Sequence, residues 1–221
     1  LAARLTGRRF SGVVQRRPDI RFPLPADLAG RLAGRRLERF GRRAKYILAH
    51  LDDGQTLVLH LGMSGRLLLD GEPKGPHEHL TFTFDDATVL RFVDPRRFGM
   101  LDLATSAGIE AHRWLAHLGH EPLGNAFNGP ALLQALAGRR TAVKVALMDQ
   151  RLVVGVGNIY ASESLHRAGI APTRPALGVG PEAADRLVLC IRDVLNEAIL
   201  AGGSSLRDYV QSNGELGNFQ S

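Results

Sequence analysis

The sequence predicts an α+β protein in which a β-rich part comes first and an all-helical part second. Three observations carry this. Short apolar runs separated by tight-turn residues fill residues 8 to about 103. From Ile109 onward the apolar positions recur at the helical period. In that second part Pro and Gly stand where helices start and stop.

Taken in order, Leu1 to Leu5 reads as the last turn of an amphipathic helix. Ala44 to Leu51 is an apolar run ended by the turn signal Asp52-Asp53-Gly54, and Gln55 to Leu61 returns as a second. Gly62-Met63-Ser64-Gly65 interrupts the pattern before Arg66 to Leu69. Leu80 to Phe84 alternates, Asp85-Asp86 turns the chain, and Thr88 to Val93 comes back. Several short strands at this spacing indicate a sandwich or barrel. Helices are expected over Ile109 to Leu118, Pro130 to Leu136, Thr141 to Met148, Asn158 to Arg167 and Pro181 to Ala201. The loop Gly119 to Gly124 divides residues 1–118 from residues 119–221, and a cleft between two such domains is a common place for a ligand. The final SNGELGNFQS stops in a loop without a capping element, so the chain reads as a fragment at both ends.

Charge is unevenly spread. Residues 1–45 hold 13 Lys/Arg against 3 Asp/Glu, a net of +10, and the remainder holds 15 against 19, a net of −4. Such a segment suits a polyanion, and it suits a solvated arginine-rich surface equally well. No apolar run approaches the roughly 20 residues of a membrane span, and no signal peptide is visible. Cys190 is the single cysteine, which excludes an intrachain disulfide or a cysteine-built zinc site, and it reads as core. The compartment expected is the reducing cytosol.

Three loops carry candidate chemistry. In Leu152 to Glu163, Gly155 and Gly157 make a tight turn directly before a helix, with Asn158 placed as its N-cap. Amides exposed at such a start can hold a phosphate, although a Gly-x-Gly before a helix is also a plain turn. It is not a nucleotide P-loop, since no Lys-Ser/Thr pair follows. His60 to Gly65 puts a methionine in a glycine-flanked turn, and Asp94 to Gly99 puts a guanidinium and an aromatic ring in another. Proteins that unstack a base need such wedges, but Met63 and Phe98 taken singly also read as core residues. His77 and His79 share a strand face by period two, but no third ligand accompanies them and a surface role is favoured. His112, His117 and His120 lie near a helix end and read as structural.

The segments HLGMSG (60–65), DPRRFG (94–99), RRAKYIL (42–48) and LMDQRLVVGVGNIYASESL (147–165), in their order and spacing, resemble those of bacterial formamidopyrimidine-DNA glycosylases. The resemblance runs from Leu1 to about Phe219. It implies a β-sandwich domain with flanking helices, then a helix–two-turn–helix domain, then a four-cysteine zinc finger that would hold one zinc in the full-length protein; the 221 residues themselves imply no cofactor. The implied partner is duplex DNA with oxidised purines or abasic sites, bound by a monomer beside the bacterial chromosome in the cytoplasm. Met63, Arg96 and Phe98 resemble the residues that fill the space left by the everted base. Lys45 resembles the active-site lysine that contacts the lesion nucleotide and its phosphate. His77, Arg139 and Asn158 match DNA-contacting positions, with Lys144 and Tyr160 beside them. Glu163 belongs to the helix facing the lesion pocket, and Ser204 and Ser205 open the loop that closes over the flipped base.

The family's nucleophile is an N-terminal proline followed by a glutamate; its amine attacks the sugar C1′, forms a Schiff base and drives β- and δ-elimination. The segment carrying both is not in this sequence, so the chain as written is expected to bind DNA without trapping it. Three other readings stand beside the purine glycosylase: a related glycosylase for oxidised pyrimidines, a non-catalytic damaged-DNA-binding protein, and an RNA-binding protein using the helix–two-turn–helix. The two wedge loops argue for the purine glycosylase.

Overall fold

The computed structural model describes residues 1–72 and 75–202, which form two compact units, Leu1–His112 and Arg113–Gly202. The first is a sandwich of two four-stranded antiparallel sheets. The strands are β1 (Phe10–Gln15), β2 (Leu37–Arg43), β3 (Tyr46–Leu51), β4 (Gln55–His60), β5 (Arg66–Leu69), β6 (Glu78–Phe84), β7 (Val89–Val93) and β8 (Met100–Thr105). One sheet runs β1-β6-β7-β5 and the other β2-β3-β4-β8. Side chains from both fill one apolar core, including Phe10, Phe82, Phe84 and Phe92 from the first sheet and Leu37, Leu57, Leu59 and Leu101 from the second. Burial of this inner face sets the strand register, and the inner strands β3, β4 and β6 are buried along most of their length. Helix α1 (Ala2–Leu5) seals an edge through Leu5, which is fully buried.

Two features depart from the expected β run. A short helix α2 (Leu28–Leu32) lies inside it, capped by Asp27, whose carboxylate accepts from the Gly30 N–H at 3.2 Å while its own backbone is left-handed. Leu28 and Leu32 are four apart and both fully buried, a helical signature too short to read from sequence alone. The helix expected over Ile109 to Leu118 does not form. A 3-10 helix covers Ser106–Ala111, and His112 then leaves it with extended backbone (φ −58°, ψ 136°). The His112 ring pairs with Asp102 of β8 at 3.2 Å, a tertiary contact at the point where the 3-10 helix ends.

The second unit is helical: α3 (Gly129–Leu136), α4 (Val143–Met148), α5 (Asn158–Arg167) and α6 (Pro181–Leu200). Asn128 caps α3 by accepting from Ala131 N–H at 2.9 Å, and Pro130 and Pro181 occupy first-turn positions where a missing N–H costs nothing. Helix α6 turns Ala184, Leu187, Val188, Ile191 and Val194 inward against α3 and α5. Its Arg192 reaches out of the helix to donate to the carbonyls of Pro122, Gly124 and Phe127, so the irregular loop before α3 has its backbone acceptors satisfied. No described helix is long and apolar enough to cross a membrane.

Candidate functional site

Strand register decides which loops of the sandwich lie together. Tyr46 pairs with His60, and His60 pairs with Met100, so the β2–β3 turn, the end of β4 and the start of β8 share one end of their sheet. In the other sheet Arg66 pairs with Val93 and Val93 with Glu78, so the start of β5, the end of β7 and the start of β6 also meet. The segments 61–65 and 94–99 each cross from one sheet to the other at that end. Lys45, Met63, Arg96, Phe98 and His77 are therefore brought to the same end of the sandwich by pairing alone.

Lys45 is the second residue of a two-residue hairpin turn whose first, Ala44, has φ 53°. A positive φ at this position matches the twist of the flanking strands. Arg42 donates across the turn to the Ala44 carbonyl at 2.9 Å and holds it. Lys45 is exposed as a residue, yet surrounding protein strips part of its hydration and pushes its ammonium below the usual lysine range. Beside it, the Tyr46 and His60 rings lie 4.8 Å apart, centroid to centroid.

His60 is neutral at physiological pH. Burial first, then the charges of Lys45 and Arg21, hold its pKa down to about 4. Its Nδ1 accepts from the Gly62 N–H at 2.9 Å, so the proton resides on Nε2. The contact steers the chain into the Met63 turn. Gly62 has φ 67°, and a Cβ there would meet the Phe98 carbonyl carbon at 2.5 Å, so the two loops touch backbone to backbone. Met63 is 50% exposed and Phe98 39% exposed, with the Arg96 guanidinium 4.8 Å from the Phe98 ring centroid. An exposed thioether, an exposed ring and a cation stacked on that ring stand at one tip.

The residue joining these loops is Asp94, which is fully buried. Its carboxyl accepts from the Ser64 hydroxyl at 2.6 Å and from the Gly99 N–H at 2.7 Å, and its carbonyl accepts from His79 Nε2 at 2.8 Å. Asp94, Ser64, His60 and His79 hold this end of the sandwich together, and sequence reasoning did not single them out for it. The first three stand inside the quoted segments, but nothing in a sequence tells which carboxyl meets which hydroxyl. His79 also corrects the expectation of a surface histidine pair. His77 ends a 3-10 helix and is exposed, whereas His79 lies in the central strand β6 and is 2% exposed. Among the described residues no three His, Cys, Asp or Glu side chains converge on a metal position, and Cys190, half-buried on α6, is the only cysteine, so these residues do not make a four-cysteine site.

In the helical unit the turn before α5 is organised by Gln150. Its Oε1 accepts from Gly155 N–H at 2.9 Å, and its Nε2 donates to the carbonyls of Val156 (3.1 Å) and Met148 (3.2 Å). Gly155 takes φ 80° and Gly157 is the N-cap, with φ −108° and ψ −173°. Asn158 is thus not the cap that its position suggested. Gly157 absorbs the non-helical geometry, so Asn158 is already the first helical residue, its side chain exposed and making no capping bond. Tyr160 packs against the helical core and Lys144 is half-buried on α4.

Two charged residues of this unit are engaged within the fold. Arg139 donates to Asp149 at 3.0 Å and to the Ala135 carbonyl at 2.9 Å. Asp149 also takes three hydrogen bonds from Arg151, and these, with Arg139, hold its carboxyl well below the usual range. Glu163 accepts from Arg167 at 2.7 Å, and the same guanidinium grips Glu197 of α6 in a bidentate pair at 2.6 and 2.8 Å. Ser204 and Ser205 lie outside the described residues.

Comparison with known proteins bears on the whole chain. A family model for the formamidopyrimidine-DNA glycosylase N-terminal domain matches residues 1–101, and one for the formamidopyrimidine-DNA glycosylase H2TH domain matches residues 118–210. The formamidopyrimidine-DNA glycosylase of Acidiphilium cryptum is 53% identical over 220 residues, spanning 100% of this chain and 80% of that protein. That of Cereibacter sphaeroides is 51% identical over 226 residues, spanning 98% and 80%. Among solved structures, the MutM (Fpg) protein of Thermus thermophilus superposes with a TM-score of 0.86 at 39% identity, over 97% of this chain and 78% of that one. The Lactococcus lactis Fpg (MutM) in complex with a Fapy-dG containing DNA superposes at 0.87 and 28% identity, over 97% and 80%.

Proposed function

Because the chain belongs to the formamidopyrimidine-DNA glycosylase family, we propose that the protein bearing these 221 residues has the family's activity on duplex DNA, although the proline amine that attacks C1′ is not among them. It is a DNA glycosylase of base-excision repair acting on oxidised purines, 8-oxoguanine and formamidopyrimidines, and it cleaves the resulting abasic site by β,δ-elimination. The substrate places it with the bacterial chromosome in the cytoplasm, working as a monomer.

One observation carries the assignment of roles: Met63, Arg96 and Phe98 emerge together from two crossover loops held backbone to backbone. Extruding a base costs a few kcal/mol of stacking and pairing, and the vacated space must be filled. Met63 and Phe98 supply apolar filling from the tip, and the Arg96 fork supplies donors for the widowed partner base. Lys45, at the same end of the sandwich, contacts the lesion nucleotide and its phosphate. His77 joins it on the backbone from the start of β6. In the helical unit, Asn158 and the amides at the start of α5 take a phosphate, with Lys144 and Tyr160 beside them. Arg139 reaches the backbone by exchanging Asp149 for a phosphate, and Glu163 serves lesion recognition from α5.

A competition titration tests this reading. Met63→Ala and Phe98→Ala are expected to lower affinity for an abasic or lesion duplex while binding to undamaged duplex, held through phosphates, changes little. Arg96→Ala is expected to lower both. Thermal melts run alongside, because loss of Phe98 from a packed position would lower stability and both affinities together. Equal losses on both duplexes with normal melting would leave a plain DNA-binding protein and remove the wedge roles. Borohydride trapping of the full-length gene product on an abasic duplex tests the lyase step.

A further inference from the structure

We infer that Asp94 is a positioning residue that sets the two wedge loops against each other, with Ser64 as its link to the Met63 loop; this rests on the base-eversion reading above. Asp94 is fully buried, and among the described residues no Lys or Arg pairs with it. Burying a carboxyl without a cation is costly unless its oxygens are bonded, so such a group persists where its geometry matters. Every polar atom of Asp94 is committed. Its N–H donates to the His77 carbonyl at 2.9 Å, and its carbonyl accepts from His79 Nε2 at 2.8 Å and from Arg97 N–H at 3.3 Å. Its two carboxyl oxygens take the Ser64 hydroxyl and the Gly99 N–H. Ser64 in turn accepts from the Arg96 N–H at 3.2 Å.

These bonds join the segments bearing Met63, Arg96, Phe98 and His77. The Ser64 hydroxyl is the side-chain link from the Met63 turn to the Arg96–Phe98 loop, donating to one residue of that loop and accepting from another. The Gly99 bond closes the same loop on its far side, immediately after Phe98. Gly62 and Gly99 keep the space between the loops clear: a Cβ at Gly62 would strike the Phe98 backbone, and one at Gly99 would meet the Phe92 ring at 2.5 Å. Asp94 itself is buried behind the tip, away from any nucleotide. It acts through Met63, Arg96 and Phe98.

The test compares Ser64→Ala, Asp94→Ala and Asp94→Asn with Met63→Ala. Each is titrated against abasic-analogue and undamaged duplexes, with a fluorescent adenine analogue opposite the abasic position reporting wedge insertion. Losing a hydrogen bond to a carboxyl is expected to lower the abasic-over-undamaged affinity ratio about tenfold in Ser64→Ala, with the fluorescence response reduced alike. Asp94→Ala is expected to lose more. Asp94→Asn retains an acceptor for Gly99 N–H and offers its amide to Ser64 Oγ, so it should recover most of the ratio. If Asp94→Ala melts early and loses both affinities, Ser64→Ala decides. An unchanged ratio and fluorescence response in Ser64→Ala, while Met63→Ala lowers both, would overturn the positioning role and leave the wedge reading standing. An unchanged ratio in Met63→Ala would remove the wedge reading first. Failure of Asp94→Asn to recover the ratio, with normal melting, would also overturn the inference.

Discussion

At the scale of single residues, His60 shows how a neutral side chain shapes a basic site. Its pKa of about 4 follows from burial next to Lys45 and Arg21, and its bare Nδ1 is the acceptor that turns the chain at Gly62. An unfolded imidazole takes its proton near the ordinary value of 6.5, well before the folded one. Between those pH values the unfolded chain binds more protons, so stability falls as pH drops from 6.5 to about 4 and levels off below. The contribution is about 3 kcal/mol across the window. His60→Asn keeps an acceptor near the Nδ1 position but does not titrate. Urea midpoints measured through this range should therefore fall less steeply for His60→Asn than for the parent protein. Parallel curves would show that His60 carries no such linkage.

Among the elements, the turn before α5 sets a structural role and a proposed binding role within nine residues of each other. Gln150 satisfies one N–H and two carbonyls of the turn, so Gln150→Ala strands the part-buried Gly155 N–H and Val156 carbonyl and is expected to cost about 1 to 2 kcal/mol of stability. Asn158 makes no cap, so Asn158→Ala should leave the melting curve nearly unmoved, within about 0.5 kcal/mol. It should still weaken binding to every duplex by about 1 kcal/mol, since a phosphate contact carries no lesion information. A clear fall in the Asn158→Ala melting temperature would contradict the cap assignment to Gly157. Equal affinity for all duplexes before and after the substitution would take Asn158 out of the interface.

For the molecule as a whole, the net +10 of the first 45 residues overstates the charge offered to DNA. At least seven of its cations are paired: Arg4 with Asp70, Arg8 with Asp86, Arg9 with Asp52, Arg16 with Glu78, Arg17 with Asp19, Arg35 with Asp53, and Arg36 with Glu38. Arg8, Arg9, Arg35 and Arg36 belong to the sandwich end opposite the wedge loops, beside the turns at 52–54 and 85–87. Arg21, Arg42, Arg43 and Lys45 belong to the wedge end, Arg21 through its N–H to the Gly99 carbonyl. The slope of log affinity against log salt should therefore respond to place rather than to charge count. Neutralising Arg42 and Arg43 together should flatten it by roughly two units, and neutralising Arg8 and Arg9 should leave it unchanged. A similar change from both pairs would mean that attraction is diffuse and the wedge end has no special share.

The sequence by itself determined the order of β part and helical part and the strands from β3 to β7. These are local properties: alternation, turn residues and helix-start prolines act over a few neighbours. The segments around Met63, Phe98, Lys45 and Asn158 were legible for the same reason, since each is one continuous loop. What the tertiary structure decided is everything that depends on a distant partner. Pairing His60 with both Tyr46 and Met100 places Lys45 beside the wedge loops. Asp102 pairs with His112 where the expected helix is absent, and Leu28 and Leu32 of α2 reach a core. Asp94 finds Ser64 thirty residues away only when two sheets stack and both crossover loops leave from one end. Such contacts form after long loops have closed, and the spacing of residues along the chain does not encode which of them will.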